Sequence, residues 1–310
     1  MLRSVILLAI GIISGHFALA QLPAVSAGTI TRLEHFNSKF VTPRNIDIWL
    51  PEGYSNQKPL AVLYMHDGQM LFDSTKTWNH KAWEVDDAIS QLKIEGKIKD
   101  VMVVGIWNDP ATRHADYFPQ KPFETLTQIE KDTLTARLQM AGRSKEGFQP
   151  VSDKYLKFLV TELKPFIDSN YNTAKTPEHT FIAGSSMGGL ISLYAICEYP
   201  NVFGGAACLS THWPGEWSPV NNPAPDAFLN YLKKHLPVSG IHKIYFDCGD
   251  QNLDALYPVI QKKADKIMKD GGYTKRNWIT RYFPGEGHSE DAWRKRLHIP
   301  FTFLLKKTTK

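Results

Sequence analysis

The feature that most constrains this chain is a glycine-rich turn set between a strand-like and a helix-like segment. Gly184-Ser185-Ser186-Met187-Gly188-Gly189 follows an apolar run that begins at Thr180 and precedes a helical pattern that extends to Glu198. Such a segment turns sharply from strand to helix, holds Ser186 in a strained backbone conformation and presents its hydroxyl above a sheet. Side chains two positions before and after Ser186 would collide in this turn, which explains the glycines there. We therefore expect a sheet with a reactive serine at one edge.

Strand-like and helix-like segments alternate along the rest of the chain, which predicts an α/β fold. We expect about eight strands in a mostly parallel sheet with helices on both faces, because several strands are continuous apolar runs. The first two strands have no helix between them and should form an antiparallel hairpin at one edge. The predicted strands are Thr29–His35, Arg44–Leu50, Leu60–Met65, Val101–Trp107, Thr180–Gly184, Gly205–Leu209, Lys243–Cys248 and Trp278–Phe283. The predicted helices are Trp83–Ile94, Asp153–Ile167, Met187–Glu198, Asp226–His235, Tyr257–Lys269 and Glu290–Leu305.

One polar stretch, at about residues 108–150, does not fit this alternation. It contains four prolines and one possible helix, Gln128–Met140. A long insertion after the carboxyl end of a strand is where lids and binding loops lie, so we expect a lid-like insertion, with a disordered excursion as the alternative. Residues 21–310 are otherwise expected to form a single domain.

The first twenty residues have the pattern of a secretory signal peptide. Arg3 supplies a basic start, Val5 to Ile13 is apolar, and Ala18-Leu19-Ala20 supplies small residues before Gln21. A membrane anchor is the alternative, but the apolar run is short for a bilayer span. We expect a secreted or periplasmic protein with no stable membrane span after cleavage.

Charge and cysteine content exclude several classes of protein. The net charge of +5 is mild and forms no long basic block, so a nucleic-acid partner is not expected. The three cysteines lack the spacing of a zinc site, and neither a metal nor another cofactor is predicted. Cys208 and Cys248 are expected on neighbouring strands as two buried free thiols rather than a disulfide. The oligomeric state is left open.

A neutral serine hydroxyl is a weak nucleophile and needs a base, whose own orientation needs an acid. In strand-turn-helix sites of this kind the acid precedes the histidine in the chain, and both follow late strands. His288 follows the last predicted strand and is the expected base. The loop after Cys248 offers two carboxylates: Asp254 is preferred as the acid, and Asp250 is the alternative.

Acyl transfer through a serine also needs N–H donors for the oxyanion. One should be the backbone amide of Met187, directly after the nucleophile. The second should come from the loop His66-Asp67-Gly68-Gln69-Met70, where the amide of Gln69 is expected to donate. His66 and Asp67 are expected to form a hydrogen-bonded turn that shapes the hole.

Four segments together resemble one branch of the α/β-hydrolases. They are Tyr64-Met65-His66-Asp67-Gly68-Gln69-Met70-Leu71-Phe72, Arg113 with Asp116-Tyr117 and Pro119, the Gly184–Gly189 turn, and Pro284-Gly285-Glu286-Gly287-His288-Ser289. The branch contains esterase D-like enzymes, enterochelin-type siderophore esterases, feruloyl and acetyl-xylan esterases, and mycolyltransferases. The resemblance covers about residues 45–303 and implies Ser186 as nucleophile, His288 as base, and the Met187 and Gln69 amides as oxyanion hole. Relatives often carry the acid where this chain has Asn252.

Aromatic and basic residues near these loops are candidates for substrate binding. His212 and Trp213 follow a strand at the nucleophile's edge, and Trp107 ends another. Trp78 and Trp217 are further candidates, because indole rings stack on flat ligands, although tryptophan also packs cores. Arg113 resembles the family's loop arginine and could hold a polar substrate, or instead pair with Asp116 or Glu124.

The sequence thus predicts an exported serine esterase that hydrolyses carboxylic esters through an acyl-enzyme on Ser186. The ester would be a small molecule or carbohydrate-linked, with feruloyl, acetyl and siderophore esters among the options. Acyl transfer to a sugar or alcohol acceptor is one alternative. A non-catalytic binding protein on the same fold is another.

Overall fold

All eight predicted strands are present in the structure, a computed structural model that describes residues 21–307. The predicted signal peptide, residues 1–20, lies outside the described residues. In chain order, β1 to β8 are Thr29–Phe36, Arg44–Leu50, Ala61–His66, Val101–Ile106, Thr180–Ser185, Gly205–Leu209, Lys243–Cys248 and Trp278–Tyr282.

The strands form one sheet in the order β1-β2-β4-β3-β5-β6-β7-β8. The pairs β1-β2 and β2-β4 are antiparallel, and the remaining five pairs are parallel. The predicted mostly parallel sheet with an antiparallel hairpin at one edge is confirmed. Because β3 and β5 to β8 run in the same direction, the loops that follow them meet at one edge of the sheet.

Eleven α-helices occur among the described residues. In chain order, α1 to α11 are Val85–Ile94, Arg113–Tyr117, Gln120–Glu124, Gln128–Met140, Ser152–Phe158, Lys164–Asn170, Met187–Glu198, Ala224–His235, Pro258–Asp270, Glu290–Arg294 and His298–Leu305. Apolar side chains of α1, α10 and α11 pack on one face of the sheet, and those of α2 to α9 pack on the other. The predicted covering of both faces is therefore confirmed.

Two helices that were expected to be regular are interrupted, and a proline explains each interruption. Pro165 lies inside the stretch predicted as Asp153–Ile167, where the turn Leu159–Leu163 is π-helical and joins α5 to α6. Pro300 lies in the stretch predicted as Glu290–Leu305, which breaks between α10 and α11. A proline ring clashes with the carbonyl four residues earlier and has no N–H, so a regular α-helix cannot continue through it.

The polar stretch at residues 108–150 is ordered and carries α2, α3 and α4. Helix α4 has the predicted bounds, and its first turn is closed by a reciprocal capping box between Thr127 and Glu130. Tyr117, Phe118 and Leu138 are fully buried in the main core, so the alternative of a disordered excursion is wrong. Among residues 21–307, no helix is long and apolar enough to cross a membrane.

Candidate active site

Ser186 lies at the apex of the turn between β5 and α7. Its backbone has φ 58° and ψ −125°, a conformation that serine rarely adopts, so the predicted strain is present. A Cβ on Gly184 would lie 2.7 Å from the carbonyl carbon of Gly188, which is why position 184 needs glycine. The backbone N–H of Ser186 donates to Leu209 at 2.9 Å. The turn is thus tied to the end of β6, and the positive end of α7 faces the serine.

His288 and Asp254 meet at the same edge of the sheet. Nδ1 of His288 lies 2.6 Å from Oδ1 of Asp254, although 34 residues separate them in the chain. A 3-10 turn, Asn252–Leu256, brings Asp254 inward to full burial. Asp250 instead accepts hydrogen bonds from the Tyr282 hydroxyl and the Gly285 amide at the surface. Of the two candidate carboxylates, the structure brings Asp254 to His288.

The second oxygen of Asp254 is also fully engaged. Oδ2 accepts hydrogen bonds from the Gly249 amide and the Ser210 hydroxyl, each at 2.7 Å. Burial opposes ionisation of this carboxyl, but the hydrogen bond and charge of His288 outweigh it, helped by Gly249 and Ser210. Together they hold the pKa of Asp254 below its usual value. An ionised Asp254 favours the tautomer of His288 that carries its proton on Nδ1.

The two backbone amides predicted to donate to the oxyanion each lie in the first turn of a helical segment. Met187 is the first residue of α7, and Gln69 lies in the 3-10 turn Gly68–Met70 after β3. Amides in a first helical turn have no partner inside the helix and can donate to an anion. A Cβ on Gly188 would lie 3.3 Å from Cβ of His66, so this turn packs directly against the serine turn.

Arg113 is not paired as expected, because its partner is neither Asp116 nor Glu124. Its guanidinium forms two hydrogen bonds of 2.7 Å with the carboxylate of Asp67. Burial opposes ionisation of Asp67, but the charge and hydrogen bonds of Arg113 outweigh it and lower the pKa of the carboxyl. The pair braces the turn before Gln69, whose side chain accepts a hydrogen bond from the Asn108 amide at 3.2 Å.

Two tryptophans predicted as substrate contacts, Trp213 and Trp107, make hydrogen bonds within the fold. Trp213 is fully buried, donates to the Gln261 side chain at 2.9 Å, and packs in the core. Trp107 donates to Asp47 at 2.8 Å, and its ring is covered by the guanidinium of Arg32. In this arrangement the Trp213 indole is enclosed by the core, whereas the Trp107 indole stays partly exposed. A tryptophan near a strand end does not reveal which way its ring points.

His212 does lie beside Ser186, since its backbone N–H donates to the Ser186 carbonyl at 3.1 Å. Its Nδ1 lies 2.8 Å from the Tyr257 hydroxyl, while its buried Nε2 has no hydrogen-bond partner among the described residues. Burial, with the nearby charges of His288 and other cations, lowers the pKa of His212 well below its usual value. The half-exposed ring of Trp217 lies 5.6 Å from the His212 ring.

Sequence reasoning missed three residues that the structure places near the candidate site. Tyr257 packs edge-on against His288 at 5.8 Å, and its hydroxyl lies 2.8 Å from Nδ1 of His212. Ser210 contacts Asp254, and Arg296 contacts Ser210. For Arg296 the sequence did contain a signal. Asp247 interrupts an apolar strand, and a carboxylate buried there needs a cationic partner.

All three cysteines are free and buried, as predicted for Cys208 and Cys248. Within residues 21–307, no group of three or more His, Cys, Asp or Glu side chains is arranged to hold a metal ion.

Comparison with known proteins gives consistent matches over most of the chain. The family model described as "Putative esterase" matches residues 38–299. The curated protein YbbA of Bacillus subtilis, described as uncharacterized, is 25% identical over 272 residues, which cover 85% of this chain and 93% of that protein.

Two solved esterases illustrate the structural likeness. A ferulic acid esterase from Anaeromyces mucronatus, in complex with ferulic acid, superposes with a TM-score of 0.60 at 17% identity, covering 92% of this chain and 94% of that one. The enterobactin esterase of Shigella flexneri superposes with a TM-score of 0.63 at 18% identity, covering 92% of this chain and 60% of that one. At these identities the likeness shows the α/β-hydrolase fold.

Proposed function

The chain belongs to the esterase family, and from that membership we propose that it is a serine esterase whose nucleophile is Ser186 and whose base is His288. One observation carries the proposal. A serine in a strained strand-to-helix turn stands at the same sheet edge as a histidine whose Nδ1 is 2.6 Å from a buried carboxylate. This combination of nucleophile, base and orienting acid is the arrangement that acyl transfer requires.

In the proposed mechanism, Nε2 of His288 accepts the proton of the Ser186 hydroxyl as Oγ attacks the ester carbonyl. The tetrahedral intermediate carries its negative charge on the former carbonyl oxygen, and the amides of Met187 and Gln69 donate hydrogen bonds to it. His288 then donates the proton to the departing alcohol. Water, activated by the same imidazole, hydrolyses the acyl-enzyme and releases the acid. Asp254 stays ionised and stabilises the imidazolium.

For the substrate, we propose an ester with a hydroxylated aromatic acyl group. His212 supports this, because its buried Nε2 has no hydrogen-bond partner within residues 21–307 and a substrate hydroxyl would satisfy it. Trp217 offers a half-exposed ring beside it for stacking. Ferulic acid and enterobactin, named for two structural relatives, carry phenolic rings. Arg113 is committed to Asp67, so its proposed role is to hold the oxyanion turn rather than to bind an anionic substrate.

We further propose export, with cleavage after Ala20, and one domain from residue 21 onward. The stretch at residues 108–150 would act as a lid over the proposed substrate contacts His212 and Trp217. An ion pair at 2.8 Å between Arg137 on α4 and Glu216, the neighbour of Trp217, supports that placement. Amino-terminal sequencing of the protein recovered from outside the cytoplasm should begin at Gln21, and an uncleaved Met1 would contradict the export proposal.

The proposed function is tested by steady-state hydrolysis of an ester panel with hydroxycinnamoyl, acetyl-sugar and siderophore members. Hydroxyaromatic esters should give the highest kcat/KM. Ser186→Ala should abolish turnover of every ester, whereas Ser185→Ala, at the adjacent buried serine, should keep most of it. Undiminished hydrolysis by Ser186→Ala would overturn the assignment of the nucleophile.

A further inference from the structure

A buried serine, Ser210, lies against Asp254 on the side opposite His288. It directly follows β6, and its hydroxyl oxygen is 2.7 Å from Oδ2 of Asp254. Two further groups approach the Ser210 hydroxyl oxygen: Nε1 of Trp293 and Nη2 of Arg296, each at 2.9 Å. All three neighbours are buried, so water does not compete for these hydrogen bonds.

The chemistry of the two neighbours fixes the direction of every hydrogen bond at Ser210. An indole N–H and a guanidinium N–H can only donate, so both lone pairs of the Ser210 oxygen accept. The single Ser210 hydrogen must therefore be donated to Asp254. The direction of a hydroxyl hydrogen usually does not follow from the positions of the heavy atoms. Here it does, because Trp293 and Arg296 occupy both lone pairs of the Ser210 oxygen.

The positive charge behind Ser210 is balanced by a second carboxylate. Arg296 forms two hydrogen bonds with Asp247, at 2.9 Å and 3.2 Å, and both side chains are almost fully buried. Asp247 also accepts from the backbone N–H of Ser210 at 3.0 Å and from the Tyr245 hydroxyl at 2.9 Å. A buried pair joined by two hydrogen bonds holds its geometry, because releasing either partner would leave an uncompensated charge.

The backbone of Ser210 is strained in the left-handed region, with φ 40°. Glycine adopts such a conformation without penalty, and serine does not. The chain therefore has a hydroxyl at a position where the backbone favours glycine. A position at which the hydroxyl outweighs the strain is a candidate for function.

We propose that Ser210, oriented by Trp293 and Arg296, is a positioning residue that holds Asp254 in place for His288. This inference rests on the proposed roles of Asp254 and His288 and adds a residue that acts through them. Trp293 contributes twice, because its ring also packs edge-on against His288 at 5.0 Å. The helix break before Pro300 brings Arg296 inward from the end of α10.

Several other titratable groups face the Asp254–His288 pair. Burial raises the pKa of Cys248 to about 12 and the pKa values of Tyr257 and Tyr245 well above their usual value. Burial lowers the pKa of His212 well below its usual value, and Asp247 is paired with Arg296. The loop around His288 also carries Glu286, which pairs with Lys295, and the exposed pair between Lys81 and Asp291 of α10 lies beyond it.

The test separates the hydroxyl from the backbone by comparing Ser210→Gly with Ser210→Thr. Glycine relieves the strain but removes the donor, whereas threonine keeps a hydroxyl and, being β-branched, increases the strain. Without the donor, Asp254 keeps more negative charge toward His288 and favours the imidazolium. Ser210→Gly should therefore lower kcat/KM by about tenfold and move the acidic limb of its pH profile up by about half a unit.

Ser210→Thr should keep the acidic limb of the native protein while its melting temperature falls. A readout that needs no turnover is the downfield proton NMR signal of the hydrogen between His288 and Asp254, which Ser210→Gly should shift and Ser210→Thr should not. Ser152→Ala is the matched control, because Ser152 is a fully buried, hydrogen-bonded serine remote from the site. It should change only the melting temperature.

A native NMR signal and an unmoved acidic limb in Ser210→Gly would overturn the inference, as would equal shifts in the glycine and threonine variants. Ser210→Ala serves the same comparison if glycine prevents folding. Absence of ester hydrolysis in the native protein would overturn the proposed function, and the NMR comparison would still decide the role of Ser210.

Discussion

At the scale of single residues, the two loop carboxylates after β7 show what sequence can and cannot predict. The order of serine, acid and histidine limited the acid to Asp250 or Asp254, but both lie in one short loop. The choice depends on the 3-10 turn Asn252–Leu256, which buries Asp254 and leaves Asp250 at the surface. A turn that depends on tertiary contacts cannot be read from local composition.

We expect Asp254→Asn to lower kcat by about 10³- to 10⁴-fold, because an amide donates to Nδ1 and imposes the wrong tautomer on His288. Asp250→Asn is the matched control and should stay within a few-fold of native activity, since Asp250 lies at the surface and accepts hydrogen bonds from Gln251, Tyr282 and the Gly285 amide rather than from His288. Steady-state kinetics on one ester decide between them. The opposite ranking would reassign the acid to Asp250.

Long-range partners were the other residue-scale feature that sequence could not supply. Arg113 pairs with Asp67 across 46 residues, and Arg296 reaches Ser210 across 86. Neither pair has a local signature, and the local partners proposed for Arg113 are not used. The direction of the Trp213 ring has no local signature either, since an aromatic residue at a strand end can face the core or the cleft, and this one is fully buried.

At the scale of elements, the strands and the serine turn were predictable, whereas helix interruptions were not. The predicted bounds of all eight strands agree with the structure to within one or two residues, and the central parallel strands were recognisable as continuous apolar runs because both of their faces are buried. The interruptions at Pro165 and Pro300 were overlooked because an apolar helical period continues across both. The sequence predicts that the glycines around Ser186 are required, and the close backbone approach of Gly188 supports this for Gly184.

We expect Gly184→Ala to destabilise the fold by about 2 kcal/mol or more and to abolish activity. The new Cβ would lie 2.7 to 2.9 Å from three backbone atoms of Gly188, and the turn cannot open without moving Ser186. Urea unfolding and ester hydrolysis measure the two effects. Gly240→Ala is the control, since its nearest neighbour is 3.9 Å away. A native-like Gly184→Ala would show that the turn does not constrain the serine.

At the scale of the whole molecule, buried neutral histidines link stability to pH. Burial lowers the pKa values of His66 and His114 to about 3, and that of His212 well below its usual value. Each stays neutral in the folded protein but takes up a proton near pH 6.5 when the chain unfolds. The stability they contribute is complete above pH 6.5 and is lost as the pH falls.

We therefore predict that the free energy of unfolding falls between pH 6.5 and 5, by up to about 1.4 kcal/mol per pH unit for each such histidine. At lower pH, carboxyls whose pKa burial raises, such as Asp86, contribute with the opposite sign. His114→Phe, in a pocket already lined by Phe118 and Phe148, should make the free energy of unfolding less dependent on pH in this range, because about one fewer proton is taken up on unfolding. Urea titrations across this range measure it, and an unchanged slope would contradict the account.

Covalent labelling by a fluorophosphonate, followed by mass spectrometry of the intact protein and its peptides, tests most directly whether Ser186 is the nucleophile. We predict one phosphonyl group per chain, on Ser186, with none on Ser186→Ala and much slower labelling of His288→Ala. Labelling of another residue, or equal labelling of Ser186→Ala, would contradict a mechanism in which Ser186 is the nucleophile.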